Sequence, residues 1–117
     1  MKTQPMTSIC KYVLKPGSER EMRLLLARHW PTLHRAGLVT DEPPLIFRGL
    51  TPPPDKQGQH DVGPDVIVEI FAWKDRSGPE VAHHTPEVMA VWEPMGAICE
   101  RMEFPSFEAL DVALERR

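Results

Sequence analysis

Two adjacent histidines, His83 and His84, follow a tryptophan, Trp73, that closes the apolar run "VIVEIFAW". Histidine is the side chain best suited to move a proton near neutral pH. Neighbouring positions on a helix differ by about 100° in direction, so at most one of the pair faces a shared interior. Glu69 lies inside the same apolar run. A buried carboxylate is costly unless it is paired, hydrogen-bonded or protonated. Arg48, on the preceding apolar segment, is the expected partner. These types in this order suit proton abstraction from a small acidic molecule, with one of the two histidines as acceptor and Glu69 orienting a histidine or a ligand hydroxyl. The bland alternative is structural: Trp73 packs a core, His83 is a hydrogen-bonded interior residue, and Glu69 and Arg48 form an ion pair.

Trp30, Trp92 and His29 fall on the inner stripes expected for two helices. Such residues are core in most proteins, but in a fold of one sheet and two helices they also border the gap where ligands enter. Together with Trp73 and Arg48 they are the candidate ligand-binding set. No metal or cofactor is expected. His29, His34, His60, His83 and His84 show no H-x-x-x-H or H-E-x-x-H spacing, and there is no glycine-rich phosphate loop or G-x-S-x-G nucleophile motif. Cys10 and Cys99 stand far apart outside any C-x-x-C pair and read as reduced, partly buried thiols.

The elements that must position these residues follow from periodicity. "SICKYVLKPG" alternates as a strand, with Cys10, Tyr12 and Leu14 on one face, and Pro16-Gly17 ends it. Ser18 with Glu21 marks a helix start, Met22, Leu25, Leu26, His29 and Leu33 form its stripe, and Gly37 stops it. Pro31 predicts a kink or restart. "PLIFRGL" is a second strand. "TPPPDKQGQHDVGPD" is a long surface loop. "VIVEIFAW" is a third strand, apolar on both faces. Ser77 and Thr85-Pro86 open two further helices, the second closing at Pro94 and Gly96. "AICERMEF" is a fourth strand. Phe107, Leu110 and Leu114 share the spacing of a C-terminal helix, with Arg116 and Arg117 suited to its negative end.

This βαββαβ order is the ferredoxin-like α+β pattern with an antiparallel sheet, in one domain over 1–117. Two helices cover one face of a sheet whose third strand is apolar on both, so a second copy of the chain is the expected cover for the other. The net charge of -3 and scattered charges argue against nucleic acid. The N-terminal "MKTQPMTSIC" has no apolar core and no stretch reaches membrane-spanning length, so a cytoplasmic location without membrane association is expected.

With "VEIFAWKDRSGPEVAHHTPE" following the long loop, the chain resembles the antibiotic biosynthesis monooxygenase-like family of the dimeric α+β barrel superfamily. The resemblance rests on an aromatic-rich third strand ending in Trp73, a helix start, then Ala82-His83 and Pro86. It implies a dimeric barrel with a pocket between helices and sheet in each subunit. Some relatives oxidise polycyclic phenols with oxygen and neither metal nor flavin. Others degrade haem using a Trp, a His on the second helix and an Asn on the first strand. Trp73 and His83 match the first two by position, but "SICKYVLK" contains no Asn, which argues against haem. The expected function is a cofactor-independent monooxygenase acting on a small aromatic or polyketide-like molecule, with His83, which the resemblance selects over His84, accepting a phenolic proton. The rival is a non-catalytic or stress-associated protein that binds a small molecule in the same pocket.

Overall fold

The computed structural model describes residues 4–56 and 63–115. His60 and the middle of the 51–65 loop lie outside the described residues, as do Arg116 and Arg117. The order is β1 (Met6–Leu14), α1 (Glu19–Arg35), β2 (Leu45–Arg48), β3 (Val66–Trp73), α2 (Gly78–His83), α3 (Pro86–Ala97), β4 (Cys99–Glu103) and β5 (Ser106–Phe107), with one short 3₁₀ turn at Pro54–Lys56. The sheet runs β2-β3-β1-β4, with β5 also pairing β1, and every pairing is antiparallel. This is the α+β, ferredoxin-like arrangement read from the sequence.

The alternation of β1 and β3 sets the two faces. Cys10 stands opposite Glu69 and Tyr12 opposite Ile67. Ser8, Cys10, Tyr12 and Leu14 are buried, as are Ile67, Glu69, Phe71 and Trp73. Side chains at even spacing share a face, so these eight form the floor on which α1 and α3 pack. Met22, Leu25, Leu26 and Leu33 of α1 meet Val88, Val91 and Met95 of α3 over that floor.

α1 starts at Glu19 as the sequence implies, although the Ser18 side chain makes no capping bond. It does not restart at Pro31 but runs on to Arg35. Burial of His29, Thr32 and Leu33 on both sides of Pro31 holds the helix together. Its end is a Schellman closure: Gly37 N–H donates to His34 O (2.9 Å), Leu38 N–H to Leu33 O (3.1 Å), and Gly37 has φ +75°. α3 likewise passes Pro94 and ends at Ala97 rather than at Pro94.

The expected C-terminal helix is absent. Ser106 and Phe107 pair with β1 as β5, and residues 108–115 have no regular structure. Leu110 and Leu114 are 85% and 84% exposed. The helical spacing was present, but an isolated short helix is marginal without a surface to bury its stripe on, and β1 takes the start of the segment instead.

Candidate functional site

A cavity of about 450 Å³ opens between the floor of the sheet and the α2–α3 side of the helix layer. Its walls are mainly apolar: Phe71, Trp73, Trp92, Met95, Met102 and Phe104 among others. Tyr12 and His29, both buried, belong to its inner lining; His83 and Glu93, both exposed, stand at its mouth. Trp73 is pressed against α2, where a Cβ placed on Gly78 would come within 2.5 Å of the indole. Only glycine permits that approach without a shift.

The polar core of the site is a four-residue chain. Trp92 Nε1–H donates to His29 Nε2 at 2.8 Å. An indole N–H only donates, so His29 Nε2 is the unprotonated nitrogen. Nδ1 then carries the proton and donates it to Glu69 Oε1 at 2.8 Å. The imidazole is therefore neutral, and its contact with Glu69 is a hydrogen bond rather than an ion pair. Tyr12 O–H donates to the same Oε1 at 2.7 Å. Burial pushes the Tyr12 phenol well above its usual range, and the nearby Glu69 charge pushes it the same way, so it stays a donor. Glu69 is 0% exposed, and its second oxygen, Oε2, has no hydrogen-bond partner among the described residues. The Cys10 thiol beside it is pushed up to about 11, chiefly by burial.

Local geometry explains who joins this chain. His29 and Trp30 are consecutive on α1, so they point about 100° apart. His29 reaches the floor. Trp30 is half-buried, stacks on His34 at 4.6 Å, and is not part of the cavity wall. The same rotation separates His83, whose ring meets Trp92 edge-on at 4.9 Å, from His84, which is exposed.

Arg48 is not the partner of Glu69. The β2–β3 register sets Arg48 opposite Ile67 and Ile46 opposite Glu69. Its guanidinium turns instead to Glu19 at the start of α1, with bonds of 2.7 and 2.6 Å at the half-exposed edge of the sheet. That placement keeps a cation in water, whereas a reach to Glu69 would bury it. Glu69 and His83, linked in the sequence reading, are also not brought together: the carboxylate serves His29. Tyr12 was overlooked as a functional residue. Its one visible signal was its place on the face of β1 shared with Cys10 and Leu14.

Among the described residues no three His, Cys, Asp or Glu side chains gather as metal ligands would, and no helix is long and apolar enough to cross a membrane.

No family model matches the sequence, and no curated protein matches it. Solved structures do. SnoaB, a cofactor-independent oxygenase from Streptomyces nogalater, superposes with a TM-score of 0.69 at 18% identity, over 97% of this chain and 100% of that one. A putative antibiotic biosynthesis monooxygenase from Bordetella bronchiseptica gives 0.68 at 12% identity, over 92% and 99%. One from Chloroflexus aurantiacus gives 0.63 at 13%, over 94% and 97%. The chain has the antibiotic biosynthesis monooxygenase-like fold. The likeness spans nearly the whole length of those proteins. At such identities it speaks for architecture and leaves the chemistry to the residues themselves.

Proposed function

We propose that this protein is a cofactor-independent monooxygenase of the antibiotic biosynthesis monooxygenase-like family, acting on a flat, acidic aromatic or polyketide-like molecule. The observation that supports it best is the cavity: about 450 Å³, walled by Phe71, Trp73 and Trp92, with two imidazoles and a phenol among its few polar groups. That volume lies within the ~300–1,000 Å³ of ordinary small-molecule sites. Aromatic walls favour a flat ring system.

The chemistry needs little machinery. A phenol or a benzylic CH₂ conjugated to a ketone loses a proton to a cavity base and becomes an electron-rich anion. The anion reduces oxygen, a C–O bond forms to give a hydroperoxide, and loss of water leaves a new carbonyl. One oxygen atom enters the product and the other leaves as water, so no external reductant is consumed. His83 and His29 both line the cavity and are the candidate bases. Glu69 supports catalysis in this scheme through His29.

We also propose that the chain works as a homodimer in solution, with a second copy covering the sheet face opposite the helices. Ile9, Val13, Val68 and Ile70 lie on that face half-buried, and Leu45 and Phe47 continue it at 57% and 53% exposure. Val68→Asp should halve the mass measured by light scattering; a wild-type protein that already runs at the mass of one chain removes the dimer.

A binding role without turnover is favoured by one feature, that Trp92 occupies the acceptor nitrogen of His29. Oxygen uptake with anthrone-like and hydroquinone-like phenols separates the two readings. Uptake that places one oxygen atom from ¹⁸O-labelled O2 in the product supports the oxygenase. Saturable binding with no uptake across the panel supports the binder.

A further inference from the structure

The neutral His29, its carboxylate partner and the indole that covers it form one hydrogen-bonded unit at the cavity. Building on the proposed oxygenase reading, we propose that His29 is the proton acceptor of the cavity, masked by the Trp92 N–H, and that the hydroxyl of an incoming phenol replaces the indole at His29 Nε2. The O–H bond of the ligand then breaks, a bond from Nε2 to that proton forms, and the electron pair stays on the ligand oxygen. Nδ1–H remains donated to Glu69 throughout.

Three observations support His29 over His83. The first is charge. Tyr12 and His29 both donate to Oε1, as they would to a carboxylate, while Oε2 has no partner among the described residues. A lone buried anion is costly. Proton arrival at His29 turns the pair into a neutral imidazolium–carboxylate couple and places the negative charge on the ligand. The second is orientation. The Glu69 bond fixes the tautomer, leaving Nε2 as the basic atom, and Nε2 belongs to a cavity-lining residue. His83 is exposed, and no hydrogen bond orients its ring among the described residues. The third is the mask itself. Trp92 is part-exposed, lines the cavity, and has its ring edge-on to His83 at 4.9 Å. The indole can therefore give way to a ligand without disturbing the buried Tyr12–Glu69–His29 core. His83 acts here as a positioning residue that steadies the mask.

The specificity that follows is for ring systems with an acidic hydroxyl, since an ether of the same shape has no proton with which to displace the indole. The test uses 2-naphthol and 2-methoxynaphthalene with ¹⁵N-histidine-labelled protein at a pH where free naphthol is neutral. Naphthol should convert His29 from the singly to the doubly protonated form in the ¹⁵N spectrum and produce the absorption of bound naphtholate; the ether should do neither. Trp92→Phe keeps an aromatic wall but removes the competing donor, so naphthol binding should tighten about fivefold relative to the ether, as expected for removing one ordinary hydrogen bond. The proposal is overturned if the His29 signals stay put on naphthol binding. It is equally overturned if Trp92→Phe weakens both ligands alike, or if His83→Ala abolishes the naphtholate band while His29→Gln retains it. The wild-type spectrum decides even where His29→Gln fails to fold. Proton transfer to His29 without oxygen uptake on any phenol keeps this inference and removes the oxygenase reading instead.

Discussion

The two faces of the sheet use similar strand residues to opposite ends. On the helix side, Cys10, Tyr12, Ile67, Glu69, Phe71 and Trp73 are all buried, and that face tolerates a carboxylate because Tyr12 and His29 hydrogen-bond to it. On the other side Val68 and Ile70 are half-buried, while Leu45 and Phe47 stand in solvent. One face has its cover within the chain and can hold polar chemistry; the other has greasy residues and, among the described residues, no helix over them. The difference teaches that composition does not separate a reaction floor from an association surface. What separates them is which side receives α1 and α3.

Changes on the covered face should therefore cost far more than changes at the edge. Glu69→Ala leaves Tyr12 O–H and His29 Nδ1–H without their acceptor in a buried site, and should destabilise the fold by about 3–5 kcal/mol in urea unfolding. A loss below about 1 kcal/mol would show that water reaches this chain, and the contrast between faces would collapse.

Alkaline pH probes the same face without a mutation. Folding raises the Cys10 thiol from its ordinary 9.0 to about 11, so the folded state holds the proton more tightly than the unfolded one. That stability is complete below pH 9.0 and is lost as pH rises toward 11, about 2–3 kcal/mol in all. Tyr12, also raised, steepens the loss above its ordinary 10.0. Cys10→Ser should flatten the decline between pH 9 and 10, read as melting temperature against pH; an unchanged slope would mean the thiol is already in contact with solvent.

Gly78→Ala tests how closely α2 clasps Trp73. The added methyl would meet the indole at 2.5 Å, and overpacking of this kind costs roughly 1–3 kcal/mol. Because the indole is a cavity wall, aromatic-ligand affinity should fall along with the melting temperature. At the small end, Arg48→Ala removes an exposed pair with Glu19 at the sheet edge. The melting temperature should stay close to that of the wild type, and ligand affinity should not move. A marked loss of ligand binding in Arg48→Ala would place the site on the wrong side of α1.

The periodicity of this chain was enough for most of its elements. Alternation through 66–73, the helical stripe from Met22 to Leu33 and the stop at Gly37 are local patterns, and local sterics and burial enforce them. Trp73 and His83 could be assigned to one neighbourhood because they lie ten residues apart across one short turn and helix. Arg48 was misassigned because strand register depends on which turns close the hairpin, and the 51–65 loop hides that from the sequence. The C-terminal helix failed for a related reason: the spacing of Phe107, Leu110 and Leu114 says how a helix would bury them, but not whether a surface exists to receive it.

What the sequence determined by itself was the alternation, the stop at Gly37 and the order of elements as far as β4, since each follows from contacts within a few residues. Only the tertiary structure decided the chemistry. Glu69 lies 57 residues from Tyr12 and 40 from His29, while His29 lies 63 from Trp92. No local pattern encodes those separations. They are set when β3 docks beside β1 and α1 lies across both, because a buried carboxylate persists only where packing brings donors to it.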